Sequence, residues 1–271
     1  MTDKEYRAAD GINISALKLM KTSPRHYKWG LNHPRADSAA MAFGRAVHMM
    51  VLEPSKFPGT YAINPVDMKL TTKDGKAWKA EVIESGLEIL THNDYINIQM
   101  IAQNVKNHAA AGELLQNQKH TEMPLFWLDE ETSLYCKGKA DLVLNDGTLV
   151  DLKTTRDISP DGFFRQAYNL GYHLQAAFYH DGLVANGIDV PCVKIMAVEG
   201  TGPFDVAVYQ FGKDEINQGR IEYRELLQQV KECRETDIWP GVCPDTADFR
   251  LPNWARWDIS EVDDADGIIF D

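Results

Sequence analysis

Asp141, Asp151 and Lys153 are the residues whose types and spacing point most directly to chemistry. They fall in Lys139-Ala140-Asp141-Leu142-Val143-Leu144, then Asn145-Asp146-Gly147, then Thr148-Leu149-Val150-Asp151-Leu152-Lys153. Asn-Asp-Gly between two β-branched or apolar runs signals a tight turn, so the segment reads as a β-hairpin. Side chains alternate along a strand. Asp151 and Lys153 therefore share one face, and Val150 and Leu152 point to the other, towards a core. If the first strand ends near Asp141, two carboxylates and an ammonium converge at one sheet edge. Crowded carboxylates repel each other unless a proton or cation lies between them. A hard divalent ion such as Mg²⁺ takes oxygen ligands and also binds phosphate oxygens. An Asp-x-Lys alone is commonly a solvated pair of little consequence. Asp141, the turn and the apolar Val150 and Leu152 are what favour a metal site.

The elements that must position these groups follow from capping and periodicity. Residues 12–29 read as two short helices, the first capped by Asn13 or Ser15, the second opened by Ser23-Pro24. Arg25-His26-Tyr27-Lys28-Trp29 mixes basic and aromatic residues. Such a mix suits phosphate gripping and base stacking, and equally suits a solvated helix with its aromatics turned inward. Residues 38–52 read as a largely apolar helix ended by Glu53-Pro54, with Met41, Arg45 and His48 on one stripe. His48 is either a hydrogen-bonded core histidine or a ligand projected towards the carboxylates. Residues 57–95 show weak periodicity, and 69–77 read as a lysine-rich surface loop. Residues 93–116 read as one helix capped by Asn93 or Asp94. Strands follow at 122–127 and 133–144, joined by Leu128-Asp129-Glu130-Glu131. Beyond the hairpin come a loop with helical turns over 157–169 and a helix over 172–186 that sets Tyr172, Gln175 and Tyr179 on one face. Two strands follow, 192–198 and 204–211. A long helix over 215–235 packs through Ile216, Ile221, Tyr223, Leu226, Leu227 and Val230 and ends at Trp239-Pro240-Gly241. This order predicts an α/β fold, a central mixed sheet flanked by helices.

The bulk properties set bounds. At 271 residues, 44% hydrophobic and 25% charged, the chain suffices for one large domain, expected over residues 1–257 with a helical N-terminal part. No apolar run approaches a membrane span, and the N-terminus lacks the apolar stretch of a signal peptide, so a cytoplasmic protein with no membrane partner is expected. Cys136, Cys192, Cys233 and Cys243 are widely spaced, which suits reduced thiols better than a metal cluster. The net charge of −12 opposes a broadly basic nucleic-acid coat. Half of it comes from six acidic residues in the last fourteen, 258–271, which contain no basic residue. That stretch is expected to be an acidic, flexible tail: a solubilising end, a partner-docking segment or a mimic of DNA in its groove. The charge thus leaves room for a local basic groove.

Together these pieces resemble a known family. Gly44-Arg45-Ala46-Val47-His48 with Leu52-Glu53-Pro54, Gly138-Lys139-Ala140-Asp141, Val150-Asp151-Leu152-Lys153-Thr154-Thr155 and Tyr172-His173-Leu174-Gln175-Ala176-Ala177-Phe178-Tyr179 resemble, in order, the motifs of RecE-type exonucleases of the PD-(D/E)xK nuclease superfamily. The resemblance spans about Ser15 to Gly182. It implies His48, Asp141 and Asp151 as metal ligands, with the backbone carbonyl of Leu152, and Lys153 as the catalytic lysine. Gln175 and Tyr179 would support the site or contact the DNA backbone. Arg45, Thr154, Thr155, Arg156, Tyr27 and Lys28 are the remaining candidates for DNA contact. The usual proline before the first aspartate is replaced by Ala140. Asp151 stands where glutamate is commoner, which leaves one or two ions open.

The implied function is Mg²⁺-dependent hydrolysis of DNA, with Mn²⁺ as the alternative ion. It would digest linear double-stranded ends 5′-to-3′ and yield single-stranded DNA for phage-type recombination. The implied partners are duplex ends, a single-strand annealing protein and copies of the chain in a DNA-enclosing ring. Two other readings compete: a RecB-like nuclease of another repair or CRISPR-adaptation system, against which the cysteine spacing speaks, and a non-catalytic DNA-binding subunit, which has no need of clustered carboxylates.

Overall fold

Side-chain caps open most helices of the chain. The computed structural model describes residues 1–252 apart from 2, 34, 35 and 244. After α1 (Asp3–Ala8), Asn13 accepts from the Ala16 N–H and starts α2 (Ile14–Leu17). A 3-10 turn, Lys18–Lys21, follows. Ser23 then caps α3 (Pro24–Asn32), with proline in its first turn. Ser38 caps α4 (Ala39–Leu52). A short 3-10 segment leads to β1 (Tyr61–Ile63).

The region of weak periodicity proves more ordered than its sequence suggests. Thr72 caps α5 (Lys73–Glu84), so residues 73–77 are the first turn of a helix and not a loop. β2 (Glu88–Leu90) pairs parallel with β1. The expected single helix over 93–116 is two. Thr91 caps α6 (His92–Asn107), the backbone turns extended at His108, and the His108 ring caps α7 (Ala109–Gln116). Gly112 explains the tight turn: a Cβ there would lie 2.6 Å from the Lys106 carbonyl.

β3 (Gln118–Leu128), β4 (Tyr135–Leu144) and β5 (Leu149–Thr155) come next, then α8 (Pro160–Asn169), α9 (Tyr172–Ala185), β6 (Val193–Glu199), β7 (Val206–Gln210) and α10 (Lys213–Thr236). The larger sheet has the order β3-β4-β5-β6-β7. β5 and β6 are parallel and the other neighbours antiparallel, so the expected mixed sheet is present.

Helices cover both faces. Leu17, Tyr27, Leu125, Leu174, Phe178, Tyr223 and Leu227 belong to a buried cluster in which the N-terminal helices, α9 and α10 meet the sheet. Val47, Ile98, Ile101, Leu142, Leu152 and Val198 belong to the cluster that joins α4 and α6 to the sheet. Each fully buried leucine contributes about 1.5–3 kcal/mol relative to exposure. On α10, Ile221 was expected to pack but is 56% exposed, whereas Ile216, Tyr223, Leu226, Leu227 and Val230 are buried.

Two features of the sheet matter for the site. The hairpin forms as its turn predicts: Gly147 takes φ 88, and a Cβ there would sit 2.0 Å from the Asp189 carbonyl. The β4–β5 ladder, however, is short, pairing only Leu142 with Val150 and Val143 with Leu149. Beyond it the strands part, and the Asp141 side chain accepts the Leu152 N–H at 2.9 Å in place of a backbone carbonyl. The acidic stretch 258–271 lies outside the described residues.

Candidate active site

The parting of β4 and β5 gathers the chemistry. Asp141 lies on β4 just beyond the two residues paired with β5. His48, on α4, brings Nδ1 to 3.5 Å from Asp141 Oδ2 and to 4.0 Å from Glu122 Oε1. Glu122 comes from β3, where its neighbours Thr121 and Met123 pair with Leu142 and Ala140, which sets it across from Asp141. Its φ of 49 departs from extended backbone. One donor atom from each of His48, Glu122 and Asp141 lies within 4.8 Å of the others.

Asp151 and Lys153 project from β5 on the side of α9, as strand alternation predicts. Lys153 Nζ lies 2.6 Å from Asp151 Oδ2, and Gln175 donates to Asp151 Oδ1 at 2.8 Å. Tyr172 places its ring 5.1 Å from the same ammonium. Tyr179, half-buried one turn beyond Gln175 on α9, has its hydroxyl bonded to the Lys139 backbone. Gly138 makes room for it: a Cβ there would come within 2.8 Å of the Tyr179 ring. The stripe at 172, 175 and 179 is therefore the wall of the site.

The electrostatics follow from burial and crowding. Burial, then the charge of Asp151, push Asp141 up to about 7. Burial, then Asp141, raise Glu122, although Lys139 sits 2.6 Å from its carboxylate and pulls the other way. Burial, then Lys153, hold His48 below its usual value, so the ring is neutral near pH 7 and brings no charge to the carboxylates it faces. Burial also works against charge on Lys153, but Asp151 and Asp141 outweigh it and raise the lysine.

This donor set fits a divalent cation. A neutral imidazole and two mutually close carboxylates are the ligands such an ion takes. His48, Glu122 and Asp141 would hold it, with Asp151 and the Leu152 carbonyl beside them. When bound, such an ion polarises a phosphoryl oxygen and acidifies its water.

Glu122 is the member that sequence reasoning missed, and register alone could have found it. Counting back from the Leu128–Tyr135 pair by equal steps on both strands brings Glu122 opposite Asp141. The suggested DNA contacts fare unevenly. Tyr27 is 1% exposed and stacks on Trp239 with centroids 5.9 Å apart, so it is a core residue and not a base platform. Thr155 is buried, its hydroxyl bonded to the Asp157 carbonyl and Gln166, and offers nothing to a ligand. Arg45 pairs with Asp37 and Glu88, and Lys28 with Asp237. Thr154 is half-buried, with Oγ1 near Gly44, and Arg156 is exposed where β5 ends.

A mixed five-stranded sheet that carries clustered acids and a lysine where two of its strands part places the molecule in the PD-(D/E)xK class of folds. Within that class, the chain belongs to the family described as a PDDEXK-like domain of unknown function (DUF3799), whose model matches residues 13–252. A solved structure from Eubacterium rectale, described as a "putative exonuclease", has a TM-score of 0.65 and 13% identity, covering 93% of this chain and 96% of that one. The structure of SSO0001 aligns at a TM-score of 0.30 with 15% identity over 85% of this chain and 96% of that one. No curated protein matches the sequence.

Proposed function

We propose that the protein is a divalent-metal-dependent nuclease of RecE type, which hydrolyses phosphodiesters of linear double-stranded DNA from an end. The observation that carries this reading is the convergence of His48, Glu122, Asp141, Asp151 and Lys153 where β4 and β5 part. Mg²⁺ is the proposed ion, with Mn²⁺ as a substitute, because the donors are mainly carboxylate oxygens.

Each residue has a physical task. Lys153, kept charged by Asp151 and Asp141, stabilises the negative charge that grows on the phosphoryl oxygens. Because those acids raise it, it is poorly suited to act as a general base. Gln175 fixes one Asp151 oxygen and leaves the other to Lys153. Tyr179, packed against Gly138, keeps β4 and α9 at a fixed spacing. Arg156, exposed where β5 ends, and Thr154 would contact the DNA backbone.

The resemblance to RecE-type enzymes further suggests 5′-to-3′ polarity, a DNA-enclosing ring, a single-strand annealing partner and a cytoplasmic setting. The test is digestion of linear, nicked and covalently closed circular DNA in Mg²⁺ and in EDTA, with one strand labelled at its 5′ or 3′ end. Linear DNA should lose one strand from its 5′ end in Mg²⁺ only, while closed circles survive. Asp151→Asn should abolish cleavage, and Lys153→Ala should lower it by roughly 10²–10³-fold, both with unchanged melting cooperativity. Full activity in either variant, or cleavage in EDTA, would overturn the assignment.

A further inference from the structure

A second lysine reaches the site from the other end of the sequence. Lys18, in the 3-10 turn after α2, donates to the Leu170 carbonyl at the end of α8 at 2.8 Å. Its ammonium also lies 6.0 Å from the centroid of the Tyr172 ring. Lys153 Nζ lies 5.1 Å from the same centroid. Two ammonium groups thus share one aromatic ring of α9. The stem of Lys18 packs against Gly171, where a Cβ would come within 3.3 Å of Lys18 Cε.

The two cations are unequally matched. Lys153 has Asp151 at 2.6 Å. The acceptor of Lys18 among the described residues is a neutral carbonyl, which leaves further N–H directions on its ammonium. Burial, then repulsion from Lys153, pull Lys18 down to about 8. An anion near both ammoniums would relieve their repulsion and desolvation together.

We infer that Lys18 is a phosphate-contacting residue, which binds a phosphodiester of the nucleic-acid strand next to the linkage held at Lys153. This rests on the nuclease reading above. A strand carries one charge per nucleotide, so a phosphate at Lys153 brings its neighbour close to a second lysine on the same Tyr172 ring. Lys18 thereby fixes where the strand sits, while Lys153 acts on the reacting group.

The experiment uses full-length wild-type protein, Lys18→Met and Lys18→Arg. Binding of a fluorescent duplex oligonucleotide is followed by anisotropy in Ca²⁺ at about 50–300 mM salt. Lys18→Met should weaken binding about tenfold and reduce the salt slope by about one. Lys18→Arg should restore both. In Mg²⁺, Lys18→Met should raise KM about tenfold while changing kcat by less than about threefold, since it removes binding common to substrate and transition state. Thermal melts distinguish a helix cap: a lowered Tm with unchanged affinity and salt slope would make Lys18 a cap of α8 alone and overturn the proposal. A wild-type protein that does not bind the oligonucleotide overturns it too. A wild-type protein that binds but does not cleave defeats the nuclease reading, and the anisotropy arm still decides the role of Lys18.

Discussion

Replacing Asp141 by asparagine should make the protein more stable in EDTA and blind to divalent metal. Burial and the neighbouring Asp151 charge raise Asp141 from 3.8 to about 7. A carboxyl whose folded value is raised binds its proton more tightly in the native state. Native stability therefore falls as pH climbs from about 4 to about 7, and then levels off. At ~1.4 kcal/mol for each pH unit, the native state forfeits on the order of 2–4 kcal/mol at pH 8. Asparagine keeps the carbonyl oxygen that accepts the Leu152 N–H and removes the charge. In EDTA at pH 8, Asp141→Asn should therefore melt roughly 5–10 °C above wild type, with the gain vanishing near pH 4. Mn²⁺ or Mg²⁺ should do the opposite. An ion at a hundred times its Kd adds about 2.7 kcal/mol to wild type, and little to the variant. The assay is a set of thermal melts from about pH 4 to pH 8, with EDTA or metal, for both proteins. A variant that melts with wild type at pH 8 in EDTA, or that keeps the full metal shift, would refute the crowding on which the site assignment depends.

Gly138→Ala should cost about 1–3 kcal/mol, since its Cβ would enter the Tyr179 ring. The double variant with Tyr179→Leu should cost less than the two single changes combined, as read by urea titration, and strict additivity would argue against the contact. Asp181 pins α9 to α10 by accepting from both Arg220 Nε and Nη2 at 2.7 Å and from Tyr223 at 2.6 Å. Burial opposes its charge, but the bonds from His180, Arg220 and Tyr223 outweigh burial and hold its carboxyl far below the usual range. Asp181→Ala should cost about 3–5 kcal/mol. The difference from wild type should be full above pH 4 and shrink as the pH falls further, because a depressed carboxyl stabilises only while ionised; a difference that did not depend on pH would remove the ion-pair explanation.

The parts of this molecule legible in the sequence are those decided locally. Ser23-Pro24, Ser38 and Asn145-Asp146-Gly147 fix starts and turns through short-range hydrogen bonds and φ preferences, and each does so in the structure. The alternation around Asp151 put it with Lys153 on one face, because a strand has a strict period of two. What stayed hidden depends on distant partners. Tyr27 carries no mark distinguishing a base platform from a core ring until Trp239, more than two hundred residues later, closes over it. Thr155 reads as an exposed strand exit until Gln166 returns on α8 to bind it. The break at His108 is a local exception: alanine-rich 109–111 continues a helical pattern, and the turn shows itself only in the close approach of Gly112 to the Lys106 carbonyl. Glu122 was missed because the length of the turn between β3 and β4 sets what faces Asp141, and no pattern within β3 does so.

The site shows how an acidic chain can hold clustered carboxylates without unfolding around them. Lysines already sit on the groups that an ion would use: Lys139 on Glu122 and Lys153 on Asp151, each at 2.6 Å. They come from the same two strands as Asp141 and Asp151, two residues away in each case. Folding β5 therefore brings Lys153 together with Asp151, and the register of β3 on β4 brings Glu122 to Lys139. A divalent ion entering between His48, Glu122 and Asp141 has to compete with these amines for oxygens. Its own charge would turn Lys153 from Asp151 towards whatever anion follows it in. On the proposed reading, the lysine paired with Asp151 before substrate arrives would be the one beside the phosphate afterwards. Gln175 keeps Asp151 in place throughout by its bond to the other carboxylate oxygen. On that reading the same residues would serve stability and chemistry in turn, because β4 and β5 pair over only two residues and leave Asp141 free to face Asp151 and Lys153.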